Sequence, residues 1–151
     1  MCGIVGGVTN KDITALLLEG LNRLEYRGYD SSGLIVLSKN NTFDRARSVG
    51  KVKNLEDNIK ARDLKIIGNI GIAHTRWATH GEPSINNAHP HISMNSVSLV
   101  HNGIIENYIE LKNDQVNKGY AFTSETDTEV IAHAIDFAMQ SCSTLISSVQ
   151  L

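Results

Sequence analysis

Apolar residues near the start of the chain follow two different rhythms. Gly3 to Thr9 is a short run with the length of one buried strand, and Ile13, Leu16, Leu17, Leu21 and Leu24 then recur at helical spacing up to a break at Arg27-Gly28. Leu34 to Ser38 and Thr42 to Val49 are strand-like, and the turn-prone Lys39-Asn40-Asn41 between them predicts an antiparallel hairpin. Val52, Leu55 and Ile59 mark a second helix. Gly68 to Arg76 and Ser96 to His101 read as strands that each end in a polar cluster, separated by a long loop, Trp77 to Asn95. That loop carries Gly81, Pro83, Pro90 and three histidines, and a polar loop of such length in a compact domain usually serves a function. Helices are predicted over Asn107 to Asn117 and from near Thr126, the latter with Val130, Ile131, Ala134, Ile135 and Ala138 on one face. Leu145, Ile146 and Val149 have the spacing of a further helix, with no C-cap glycine or polar tail after them, so the chain is expected to break off within an element.

Composition narrows the class. The 151 residues are 41% hydrophobic and 20% charged, as in one globular domain with a single core. A formal net charge of -2 with interspersed signs supplies neither a basic stripe for nucleic acid nor a polybasic membrane anchor. Met1 to Gly7 lacks the basic start and long apolar stretch of a secretion signal, which points to a cytoplasmic protein. Two cysteines, Cys2 and Cys142, are too few for a disulfide framework, and Cys142 reads as a small core residue in an apolar-periodic segment.

Cys2 is open to a more specific reading. Cysteine is small enough for an aminopeptidase to remove Met1, which would put a thiol and a free α-amine on one residue. With a reference pKa of about 7.7 to 8.0, that amine can take the thiol proton near neutral pH without a histidine partner. Position alone does not distinguish this from a small residue on a buried strand. Four polar clusters at strand ends or helix starts change the weighing: Leu24 to Gly33, His74-Thr75-Arg76-Trp77-Ala78-Thr79-His80-Gly81, His101-Asn102-Gly103-Ile104-Ile105-Glu106-Asn107, and Ser124 to Glu129.

In this order, after Cys2-Gly3-Ile4-Val5-Gly6, the clusters resemble the glutaminase domains of the class II glutamine amidotransferases. They look most like those of glutamine–fructose-6-phosphate aminotransferases. The resemblance implies an α+β fold, the four-layer αββα sandwich of N-terminal nucleophile hydrolases, with residues 2–151 forming part of such a domain and the sugar-isomerase domains absent. It implies glutamine hydrolysis through a thioester on Cys2, with the ammonia aminating fructose 6-phosphate in synthase domains outside this chain or in a separately encoded C-terminal part. No metal or organic cofactor is implied.

By the same resemblance, Asn102 and Gly103 form an oxyanion hole. Arg76 and Asp127 bind the two ends of L-glutamine, and Thr79, His80 and Gly103 line the same pocket. Arg27 lies beside the nucleophile, and Trp77 near the mouth of an ammonia channel. Physical chemistry agrees with the types: an amino acid presents a carboxylate for a bidentate cation and an ammonium for a carboxylate. Each residue alone has a plainer reading. Arg76 could be a surface ion-pair partner, Asp127 a helix cap, Asn102-Gly103 a tight turn and Arg27 a solvated turn residue.

Other classes fit less well. Six histidines invite a metal site, but no His-Glu-x-x-His or Cys-x-x-Cys accompanies them, and His89-Pro90-His91 reads as a rigid loop element. Gly3, Gly6 and Gly7 do not form a nucleotide fingerprint. Two rivals remain. One is the glutaminase domain of another class II enzyme, such as amidophosphoribosyltransferase, whose motif usually has His-Arg-Gly where this chain has Tyr26-Arg27-Gly28. The other is a truncated, inactive interaction fragment.

Overall fold

Strand β4 (Ile70–Arg76) explains the architecture, because its two faces have different chemistry. Gly71, Ala73 and Thr75 alternate with Ile70, Ile72, His74 and Arg76, so one face is small and the other changes from apolar to polar along its length. A computed structural model describes residues 2–78, 81–142 and 144–150. In it β4 lies inside a four-stranded antiparallel sheet of order β1-β4-β2-β3, with β1 (Gly3–Val8), β2 (Ser31–Leu37) and β3 (Phe43–Val49).

The small face takes the helices. Ala73 packs with Leu34, Val36 and Ala46 from the neighbouring strands against Leu17 and Leu21 of α1 (Thr14–Leu24) and Leu55 of α2 (Val52–Ala61). Each fully buried leucine or valine among them contributes about 1.5–3 kcal/mol. The opposite face of the sheet looks toward a two-stranded antiparallel sheet, β5 (His91–Ser93) and β6 (Val97–Leu99). Helix α4 (Glu129–Met139) lies on these two strands, flanked by α3 (Tyr108–Asn117) and the short α5 (Leu145–Val149). Two sheets therefore sit between helical layers.

Three sequence expectations need correction. Strand β5 lies inside the segment read as a continuous loop; its three residues are too few to show a period, and its pairing with β6 depends on the turn between them. The buried side of α4 is formed by Glu129, Val130, Ala132, His133 and Asp136, while Ala134 is exposed. Polar side chains dock this helix: His133 Nδ1 and Ser93 Oγ are 2.8 Å apart, and Asp136 accepts the Tyr120 hydroxyl at 2.8 Å and that of Ser96. Cys142 lies past the end of α4 and is half-exposed rather than part of the core.

Candidate active site

The polar end of β4 carries the site. Gly3 pairs with Thr75, and its N–H donates to Thr75 Oγ1 at 3.1 Å, so Cys2 stands beside the last residues of β4. There the Cys2 sulfur accepts the Trp77 N–H at 3.2 Å. His74 and Arg76 project from the inter-sheet face of the same strand end, and both are buried.

The histidine segment is fixed over this strand end from below and from the side. A Cβ on Gly33, which pairs with His74, would lie 2.1 Å from the His89 carbonyl, so only glycine lets that backbone rest on the sheet. Alternation puts Arg45 and Arg47 of β3 on the same face. Arg45 donates to the Pro90 carbonyl at 3.1 Å, and Arg47 to those of Asn86 and Ala88 at 3.0 Å each. His89 then stacks on His74 with ring centres 4.3 Å apart. Burial pushes His74 and His91 each down to about 4 and His89 well below its ordinary value. The cluster is therefore neutral near pH 7.

A second support comes from the start of α4. Burial works to raise the Glu129 carboxyl, but the hydroxyls and amides of Ser124 and Thr123 donate to it and hold it below the ordinary carboxylate value. Ser124 Oγ is 3.0 Å from Thr126 Oγ1, which is 3.0 Å from His91 Nε2, so the carboxylate is tied through two hydroxyls to the histidine segment. Asp127, next in line, is buried and accepts the Ile105 N–H at 2.7 Å, which fixes the chain just after Asn102-Gly103.

These elements enclose a pocket of about 360 Å³, whose lining includes Cys2, Arg76, Asn102, Gly103 and Asp127. Asn102 Nδ2 donates to the Cys2 carbonyl at 3.2 Å, so the carboxamide lies directly beside the proposed nucleophile. Gly103 lies against the His101 ring, where a Cβ would come within 2.6 Å of the ring nitrogen. Arg76 donates to the carbonyls of Gly81 and Glu82 at 3.0 and 3.4 Å, an orientation at odds with a solvated surface ion pair. Burial lowers its guanidinium, opposed by Cys2, Asp30 and Asp127. Arg27 also lines the pocket, and Trp77, 45% exposed, forms its rim edge-on to Tyr29. Thr79 and His80 lie outside the described residues.

Sequence reasoning did not assign roles here to His74, His89, His101, Thr126 or Thr128, all of which line the pocket. The concentration of histidines is the available signal, but the sequence does not show which of them reach the pocket. Among the described residues no group of three or more His, Cys, Asp or Glu is arranged to hold a metal ion. No described helix is long and apolar enough to cross a membrane.

Two antiparallel sheets between helices, with a cysteine immediately before the first strand, define the class, and comparison with known proteins gives the family. Residues 59–147 match the glutamine amidotransferase domain, and the chain belongs to that family. It is 55% identical over 150 residues to a glutamine–fructose-6-phosphate aminotransferase (isomerizing) of Pseudomonas putida and 57% identical to that of Acinetobacter baylyi, covering 99% of this chain. The chain spans 24% of the length of each. Among solved structures it resembles the glutamine phosphoribosylpyrophosphate amidotransferase of B. subtilis, complexed with ADP and GMP, at TM-score 0.76 and 26% identity, covering 99% of this chain and 31% of that one. The architecture is thus the α+β N-terminal nucleophile fold of class II amidotransferases, in part.

Proposed function

We propose that this chain supplies the glutamine-hydrolysing site of a glutamine–fructose-6-phosphate aminotransferase. The observation that carries the reading is the convergence of Cys2, Asn102, Gly103, Arg76 and Asp127 on one pocket. Removal of Met1 leaves the α-amine of Cys2 as the base for its own thiol. The thiolate adds to the side-chain amide carbon of glutamine, and the oxygen of the tetrahedral intermediate takes hydrogen bonds from Asn102 Nδ2 and the Gly103 N–H. One such donor is worth about 3 kcal/mol in the transition state. The C–N bond then breaks, the proton held on the α-ammonium passes to the leaving nitrogen, and ammonia departs. Water hydrolyses the thioester to glutamate and restores the thiol.

Arg76 receives the α-carboxylate of glutamine and Asp127 its α-ammonium, with Thr79 and His80 as further lining. Carbonyl contacts from Gly81 and Glu82 hold the Arg76 guanidinium in place for that task. The ammonia serves to aminate fructose 6-phosphate, a step assigned to synthase domains beyond this chain. Identities of 55–57% to the fructose-6-phosphate enzymes, against 26% to the phosphoribosyl enzyme, favour this branch, as does Tyr26 before Arg27-Gly28. The assay is glutamate release by the purified chain alongside Cys2→Ala, with intact mass to establish the first residue. Cys2-dependent release from a chain lacking Met1 supports the reading, and equal release by Cys2→Ala contradicts it.

A further inference from the structure

Asn102 can serve as an oxyanion donor only if its carboxamide is turned the right way round, and its neighbours decide that. On one side lies the Cys2 carbonyl, 3.2 Å from Asn102 Nδ2, a group that can only accept. The oxygen must then face the other side, where His74 Nε2 lies 2.8 Å from Asn102 Oδ1. An oxygen there needs a donor, so the ring has to carry its proton on Nε2. The His101 backbone carbonyl is the ring's other polar neighbour, but His74 Nδ1 makes no hydrogen bond of good geometry. A bare, buried ring nitrogen is tolerable as an acceptor in a way that a buried unpaired N–H is not.

We infer that His74 is a positioning residue for the oxyanion corner: its Nε2–H holds Asn102 Oδ1 and thereby turns the Asn102 Nδ2 group toward Cys2. This rests on the glutaminase reading above for its catalytic consequence, though not for its geometry. The ring is itself immobilised, by the His89 ring stacked on it with an interplanar angle of 18° and by the strand that carries it. His89 Nδ1 in turn accepts the His101 N–H at 3.4 Å, which links this stack to the chain just before Asn102. Burial keeps His74 neutral near pH 7, so one ring nitrogen is a donor and the other is bare, as the arrangement requires.

The test combines ring and amide resonances with turnover, using the whole chain and the variants His74→Leu, His74→Gln and Asn102→Ala. Long-range nitrogen–proton spectra of the histidine rings should show His74 neutral and protonated at Nε2 at pH 7, and Asn102→Ala should shift that resonance. His74→Leu should lower kcat for glutamine about 100-fold, the scale for one misdirected oxyanion donor, with KM changed by less than about threefold. His74→Gln, whose amide can also donate, should keep kcat within about tenfold of the parent. A ring protonated at Nδ1, or charged at pH 7, would overturn the inference. So would a His74→Leu loss that falls on KM, or an equal kcat loss in His74→Gln. Should the parent show no Cys2-dependent turnover, the glutaminase reading fails. The ring tautomer and the response of the Asn102 side-chain amide to His74→Leu then decide the positioning: an Nε2–H ring and a shifted amide uphold it, and an Nδ1–H ring or an unmoved amide overturns it.

Discussion

The two ends of the space between the sheets obey different rules. At the polar end, His74, Arg76, Asn102 and Asp127 are held by named partners at hydrogen-bond distance around a pocket of about 360 Å³. At the other end of the same strands, Ile35, Leu37, Phe43 and Ile72 face Leu99 and Ile135 across an apolar cavity of about 560 Å³. Hydrogen bonds are short-ranged and directional, so the polar end can be organised by the residues that touch it. Apolar side chains gain only by close packing, and a cavity lined by them forfeits contact energy. The site therefore rests on the polar end, while the apolar end can be repacked without touching it.

Breaking the polar end should have the largest effects. Cys2→Ala should abolish glutamate release and any thioester seen by mass spectrometry while leaving the denaturation midpoint near that of the parent. Arg76→Ala and Asp127→Ala should each weaken glutamine binding by about 2 to 4 kcal/mol, the scale for breaking a desolvated charge pair. Calorimetry or kinetics would measure this, and Asn102→Ala should instead lower turnover more than binding.

Acid should loosen the polar end through its neutral histidines. His74 and His91 have folded values of about 4 against an ordinary 6.5, so below 6.5 the unfolded chain binds protons that the folded chain does not. Their contribution is fully present above pH 6.5 and is lost as pH falls toward 4, by up to roughly 3 kcal/mol per ring. Urea denaturation between pH 7 and 4 should show that loss, reduced by Asn substitution of either histidine. Glu129 acts lower down: its depressed carboxyl contributes above its ordinary value of 4.5 and its stabilisation is lost on further acidification.

Filling the apolar end should give the smallest change. Ile135→Phe adds volume on the α4 side of the cavity and should raise stability by about 0.5–1 kcal/mol with glutamate release unaltered. A loss of stability would mean that the cavity wall has no room to spare, and a change in turnover would mean that the two ends are coupled.

The sequence made some of this division legible. Helices α1 and α2 follow from apolar spacing because each buries one face against one core, and the β2–β3 hairpin follows from two strand-like runs about a turn-prone link. Strand β5 was hidden, since His91-Ile92-Ser93 carries no period of its own and is fixed by Arg45, by Thr126 and by β6. The buried face of α4 departs from apolar spacing for a related reason: His133 and Asp136 are buried by their partners Ser93 and Tyr120, which lie outside the helix. At the site, the residue types that glutamine chemistry needs were visible in four clusters, and Arg76, Asn102 and Asp127 do meet around one pocket. The pairing of His74 with Asn102 was not visible, because it joins two clusters through tertiary packing.

The most direct test of a preorganised polar end is selective alkylation by a glutamine analogue that carries an electrophilic ketone in place of the side-chain amide, read by intact and peptide mass. The chain has two free cysteines, both partly exposed, so exposure alone would label both. One adduct per chain is expected, on Cys2 of protein that lacks Met1, suppressed by glutamine and slowed by Arg76→Ala, with Cys142 unmodified. Equal labelling of Cys2 and Cys142, or labelling of Cys2 that glutamine does not suppress, would contradict it.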